Sequence, residues 1–211
     1  MKIWYDALTG KHVRYGTAIA KHLRKSGHTV MLTTRKHPDT LEVANFLNEE
    51  MRAVGEYNPK SLLTRLETGL RRQLEFCRLF RDDPFDAAVS HGSVDECRVS
   101  FGLGKPVITT VDTPYADAVH RLTLPLTNHI VASNAIPKEK LQAYNPKAEV
   151  IGFNSVDEVA WIKGFRPNVR YDFGKPLIVV RQLEEKAAYI KSRLDLLALA
   201  KKLTKLGGAR S

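Results

Sequence analysis

Cysteine is scarce: Cys77 and Cys97 are the only two in 211 residues, and they have neither zinc-ligand spacing nor the density of a disulfide scaffold. Both are expected to be small, reduced core residues of an intracellular protein, and no metal site is expected. No apolar run approaches the roughly 18 residues of a membrane span. The apolar part of MKIWYDALTG is too short for a signal peptide, which makes the cytoplasm the expected location. Internal repeats, low-complexity segments, a Lys/Arg-rich tail, zinc-finger spacing and an aromatic RNA-binding signature are all missing, so nucleic acid is the disfavoured partner. Acid is also short: 33 Lys and Arg against 23 Asp and Glu leave a formal charge of +10. That excess favours anions, as phosphate on a substrate, an acidic membrane surface or nucleic acid. A thermophile's Lys- and Arg-rich surface would carry it without any partner.

What is present is alternation. The β-prone KIWYD precedes a helical pattern with Val13, Ile19, Ala20 and Leu23 that stops at Ser26-Gly27, and the β-branched HTVMLTTR follows. Asp39 and Thr40 cap a second helix expected to run to about Met51, with a short strand near Ala53 to Gly55. Over residues 59–81, Leu62, Leu63, Leu66, Leu70, Leu74 and Cys77 recur at helical spacing among Lys60, Arg65, Arg71, Arg72 and Arg78. The favoured reading is a helix with this stripe on the core and its basic side in water; the minority reading is a helix on a membrane surface, a peripheral contact. Strands at FDAAVS, KPVITTVD, HIVAS and AEVIGF then alternate with helices at VDECRVSFGLG, after Pro114, and from Pro137 to Tyr144.

Each strand–helix unit adds a parallel strand through a right-handed crossover, so the expected fold is α/β, a Rossmann-like doubly wound parallel sheet. It is placed at residues 1–162, with a linker at 163–175 where Pro, Gly and basic residues replace periodicity. Residues 176–211 read as one strand, PLIVV, and one long amphipathic helix: a truncated second α/β unit. Its apolar stripe is expected to be covered by a second copy of the chain, giving a homodimer or other homo-oligomer.

Candidate chemistry lies where strands end. Gly10, Lys11, His12 and Arg14 open the first helix, where outward backbone N–H groups favour a negative ligand. His12 reads there either as a general base near neutral pH or as an exposed cap residue. The run DAAV ends in SHGS, either a plain turn or a ligand loop in which Gly92 admits close backbone approach while Ser90, His91 and Ser93 offer hydrogen bonds. Asp112 and Thr113 end the next strand, facing the same cleft or capping a helix. Arg121 follows a turn or two later, in the cleft or in a surface ion pair. A parallel sheet puts these residues and Arg35 on one edge.

The run DALTGKHVRYGTAIAKHLRKSGHTV resembles the N-terminal loop of GT-B glycosyltransferases, and SHGS, LGKPV, VDT and HRLTLPL follow in that superfamily's order. Across the chain, MKIWYD, KHVRY, SHGS, RVSFGLGKP, DT, RLTLPL, AIPKEKL and VDEVAWIK resemble the largely archaeal domain of unknown function 354 family, itself similar to the N-terminal half of GT-B enzymes and of UDP-N-acetylglucosamine 2-epimerase. The resemblance implies a GT-B N-terminal-type domain acting in glycosyl transfer or sugar-nucleotide processing. His12 would be the base and Asp112 its catalytic companion, while Gly10, Lys11, Arg14, Arg35, Ser90, His91, Gly92, Ser93, Thr113 and Arg121 bind substrate. Arg181 and Glu184 would meet the phosphate and ribose of a UDP-sugar donor; no cofactor is required. The implied partners are a small sugar or lipid-linked acceptor and a donor-binding domain, without which the isolated chain is expected to be weak or inactive. The rival class is a non-catalytic module that binds a small anionic ligand or assembles into an oligomer.

Overall fold

The computed structural model of the chain describes residues 1–168, 172, 178–180 and 195–207. The chain divides into two compact units, Met1–Phe165 and Arg166–Ser211. In the first unit, β1 (Lys2–Ala7) leads into α1 (Gly10–Lys25), whose N-cap Thr9 accepts from the His12 N–H. α1 stops where Gly27 takes a φ of 82°, a left-handed turn that glycine enters without strain. Then come β2 (Thr29–Lys36), α2 (Pro38–Phe46) and β3 (Arg52–Glu56). α2 is shorter than expected because Asn48, at φ 51°, turns the chain out of the helix. α3 (Leu62–Asp82) begins with a reciprocal capping box between Ser61 and Thr64. The remainder is β4 (Ala87–Ser90), α4 (Val94–Gly102), β5 (Val107–Val111), α5 (Asp117–Thr123), β6 (His129–Ser133), α6 (Lys138–Gln142), β7 (Glu149–Phe153) and α7 (Val159–Ile162).

The strands form one seven-stranded sheet in the order β3-β2-β1-β4-β5-β6-β7, every neighbouring pair parallel. This is the doubly wound Rossmann-like fold, and its order reverses between β1 and β4. Alternation along the strands supplies both faces. Ile3, Tyr5 and Ala7 pack with Val30, Leu32, Val13 and Ala20 on the α1–α2 side. Trp4 and Ala88 pack with Val54, Phe76, Phe80, Phe85 and Val99 on the α3–α4 side. There the Trp4 ring lies 4.6 Å from Phe76 and 4.5 Å from Phe80.

α3 corrects the sequence reading. Its buried residues are Arg72, Phe76 and Phe80, whereas Leu62, Leu63, Leu66, Leu70 and Leu74 are all more than half exposed. Tertiary partners decide the phase. Arg72 reaches Asp6 with Nη2 to Oδ1 at 2.6 Å and Nη1 to Oδ2 at 2.9 Å, Asp95 at 3.0 Å and the Val54 carbonyl at 2.8 Å. An arginine so saturated can be buried, and it takes the aromatic residues inward with it. Cys77 is likewise exposed, contrary to expectation, and Cys97 is buried.

The second unit contains α8 (Leu196–Gly207), and Ile178, Val179 and Val180 are in no strand. Residues 181–194, with the expected donor contacts Arg181 and Glu184, lie outside the described residues, as do Pro176 and Leu177. Among the described residues no helix is long and apolar enough to cross a membrane.

Candidate functional site

Four loops meet at the carboxyl edge of the sheet, following β1, β4, β5 and β7. The first turn of α1 brings Lys11 and His12; His91 follows β4, Asp112 follows β5, and Asp157 and Glu158 follow β7. The His12 and His91 rings meet edge-on, 4.8 Å between centroids, and Tyr15 approaches His91 at 5.7 Å. Since His12 follows β1 and His91 follows β4, their contact spans the point where strand order reverses. Doubly wound sheets open their ligand crevice at such a point.

Charge gathers around these rings. Lys11 Nζ lies 2.5 Å from Asp112 Oδ2, 3.2 Å from Glu158 Oε1 and 3.6 Å from Asp157 Oδ2. His91 Nε2 lies 3.3 Å from Asp112 Oδ1, and its Nδ1 is 2.6 Å from Thr110 Oγ1. Contact with His91, joined by the Lys11 ammonium, holds the Asp112 carboxyl well below the usual carboxylate range although burial opposes it. Asp157 shifts the other way: burial raises its pKa against the pull of His91 and Lys11. Burial, reinforced by the neighbouring His91, pushes the His12 pKa well below the ordinary imidazole value, so that its ring is neutral at pH 7. The Leu8 N–H donates to His12 Nδ1 at 3.4 Å, which leaves the proton of the neutral ring on Nε2.

Several expected site residues have other tasks. Ser90 and Ser93 are fully buried. Ser90 Oγ donates to Glu96 Oε2 and Ser93 Oγ to Asp6 Oδ2, each at 2.6 Å. These hydroxyls point inward because the buried carboxyl oxygens of Glu96 and Asp6 need donors, so they brace the turn instead of lining it. Gly92 completes that turn at φ 68°. The Gly10 N–H at the start of α1 donates to Asp39 Oδ2 at 2.6 Å, so a carboxylate from the chain already stands where an anionic ligand was expected. Arg14 lies over the Phe46 ring at 5.5 Å. Arg121 makes an exposed 2.8 Å ion pair with Asp117, and Thr113 Oγ1 accepts from the Tyr115 N–H within its own turn. Arg35 bonds the Leu8 carbonyl at 3.1 Å and lies 4.0 Å over Tyr57. With Gly92 it lines a groove of about 470 Å³ whose wall includes Leu62, Leu66, Leu70 and Leu122. Sequence reasoning missed Asp157, Glu158 and Tyr15. The acidic pair just after the seventh strand in VDEVAWIK was the available signal.

The profile of the family described as protein of unknown function (DUF354) matches residues 1–197. The chain belongs to that family. A relative, an uncharacterized protein of the archaeon Methanocaldococcus jannaschii, is 29% identical over 171 residues, which is 79% of this chain and 50% of that protein. Among solved structures, the UDP-GlcNAc 2-epimerase of Neisseria meningitidis, bound to UDP-GlcNAc, is similar with a TM-score of 0.63 at 18% identity over 76% of this chain and 48% of its own. MurG from Acinetobacter baumannii is similar with a TM-score of 0.51 at 16% identity over 64% of this chain and 42% of its own. Similarity at these identities shows the fold, that of the N-terminal domain of GT-B proteins. The chain spans about half the length of the proteins it matches.

Proposed function

We propose that this chain is the acceptor-side, sugar-handling half of a GT-B-type sugar-nucleotide enzyme, acting in glycosyl transfer or sugar-nucleotide processing. One observation carries the reading: the His12–His91 contact, flanked by Lys11 and Asp112, occupies the switch point of the sheet. A sugar hydroxyl suits such a set, since Asp112 accepts its proton in a hydrogen bond while Lys11 and the His12 Nε2–H donate to its oxygens. The Leu8 contact to His12 Nδ1, at 3.4 Å, favours His12 as a donor through Nε2 at rest, and it is weak enough to be exchanged when His12 acts as the base. The leucine-walled groove beside Gly92 suits the apolar chain of a lipid-linked acceptor. A UDP-sugar donor would be held by a donor-binding domain or a separate donor-binding partner. The rival anion-binding module is disfavoured because Asp39 already holds the α1 terminus and the cluster itself is acid-rich.

The test compares His12→Ala with His12→Gln in a full-length family member supplied with UDP-sugars. Loss of turnover by about a hundredfold or more in His12→Ala, with an unchanged melting temperature, supports the reading. Retention of turnover in His12→Gln assigns His12 as a donor, and loss in both assigns proton transfer. Unchanged turnover in both variants would remove His12 from the site.

A further inference from the structure

The carboxylates around His91 carry more negative charge than Lys11 alone balances, and one buried oxygen among them accepts no hydrogen bond. Asp157 is 6% exposed, and its Oδ2 accepts no hydrogen bond although it points into the cluster, 3.8 Å from His91 Nδ1 and 3.6 Å from Lys11 Nζ. An ammonium 3.6 Å away satisfies a buried carboxylate oxygen only partly, and a closer cation or donor would be favourable there.

The hydrogen bonds of His91 show where that cation would go. Thr110 Oγ1 lies 2.6 Å from His91 Nδ1 and 3.4 Å from the Ser90 carbonyl, to which its hydroxyl can donate. In the tautomer with the ring proton on Nδ1, the Nε2 lone pair is directed at Asp112 Oδ1, 3.3 Å away. A cation between the two would accept electron pairs from both.

We propose that His91 Nε2, Asp112 and Asp157 form a binding site for a divalent first-row cation of the Mn²⁺ or Zn²⁺ type. One donor atom from each residue lies within 4.8 Å of the others. Bonds of about 2.0–2.2 Å place adjacent ligands roughly 3 Å apart, a spacing the His91–Asp112 pair nearly has. The partly exposed Asp112 side chain would close the remainder by rotating away from its 2.5 Å contact with Lys11. An imidazole with two carboxylates suits Mn²⁺ and Zn²⁺ better than Ca²⁺ or Mg²⁺, which favour all-oxygen sets, and the lack of a thiolate excludes Cu(I). With the ring proton on Nδ1, a relay through Thr110 to the Ser90 carbonyl would be the outer support that orients a metal-bound histidine. Lys11 would retain Glu158 as its partner. An ion here would offer open positions to sugar hydroxyl or diphosphate oxygens. The site uses the edge to which the sugar reading is assigned, but the ion itself follows from these three side chains alone.

The test is titration calorimetry and electron paramagnetic resonance of the EDTA-dialysed chain with MnCl₂ and ZnCl₂ alone. The expected result is a single equivalent of ion, bound more tightly than Mg²⁺ and weakened roughly tenfold or more by Asp157→Asn and by His91→Gln. Since the buried Asp157→Asn change acts on folding too, circular dichroism checks both variants, and Asp112→Asn at the half-exposed ligand gives an independent reading. No saturable binding, or binding unchanged in all three variants, overturns the proposal. Binding of UDP-GlcNAc in EDTA is measured separately by thermal shift on a full-length family member. A response there without metal binding refutes only the ion, and metal binding without that response refutes only the sugar reading.

Discussion

Replacing Arg72 with Met would take the countercharge from the most enclosed carboxylate of the sheet. Asp6 is fully buried and receives two guanidinium bonds, at 2.6 and 2.9 Å, together with the Ser93 and Thr33 hydroxyls, each at 2.6 Å. Breaking a buried pair by removing one partner costs about 3–5 kcal/mol. The two hydroxyls remain to solvate Asp6, which places the expected loss near the lower end, about 3 kcal/mol. Against a total stability of about 5–15 kcal/mol this is large enough to measure without unfolding the chain. Urea titration at pH 7 reads it as a lower midpoint at unchanged slope. Asp6→Asn with Arg72→Met should lose less than the two single changes added together, since the double variant leaves no unpaired charge at position 6, and the coupling should be about 1–3 kcal/mol. A loss below about 1 kcal/mol in Arg72→Met, or strictly additive singles, would refute the view that this pair governs the phase of α3. Because Ser93 belongs to the turn that carries His91, the same variant should also weaken ligand binding at the edge.

The α3 phase makes a second prediction: Leu66→Lys should change stability by no more than about 0.5 kcal/mol, whereas Phe76→Ala should cost about 3–5 kcal/mol in the same titration. The reverse ranking would restore the leucine stripe to the core. Glu96, fully buried, has its pKa pushed up to about 8 by burial despite the Ser90 hydroxyl that favours its charged form. The folded state therefore holds a proton that the unfolded state releases above its ordinary carboxyl range of about 4.3. Stability contributed by that proton is complete at low pH and declines as pH rises toward 8, with a slope of up to about 1.4 kcal/mol per pH unit. Glu96→Gln should flatten the decline in melting temperature between about pH 5 and pH 8, and an identical slope in both proteins would contradict the assignment.

The seven strands of the first unit and their parallel sheet were legible because they follow from local patterns: β-branched runs, helix caps and glycines at turns; the strand expected at PLIVV is not seen at Ile178, Val179 and Val180. The Leu62–Leu66–Leu70–Leu74 stripe misled because it has helical spacing, while the true inward face contains an arginine. Only tertiary structure brings Asp6 and Asp95 to that arginine, and one-dimensional periodicity assigns every arginine to solvent. The serines of SHGS misled for a related reason. Their direction is set by the buried carboxyl groups of Asp6 and Glu96, the first supplied by a distant strand. Lys11, His12, His91 and Asp112 were legible because strand ends converge whatever the side chains do. Asp157 escaped because it lies between the last strand and the change in composition, in a stretch without strong periodicity.

Histidine-ring ¹H–¹⁵N spectra of the chain during titration with N-acetylglucosamine and with UDP-GlcNAc measure the central claim most directly, since the seven histidines report from different parts of the fold. The expected result is saturable shifts at His12 and His91, with His28 near the N-terminus and His129 on β6 unmoved. Shifts confined to His28 and His129, or none at His12 and His91 with either ligand, would contradict the placement of a sugar site at the β1–β4 switch point.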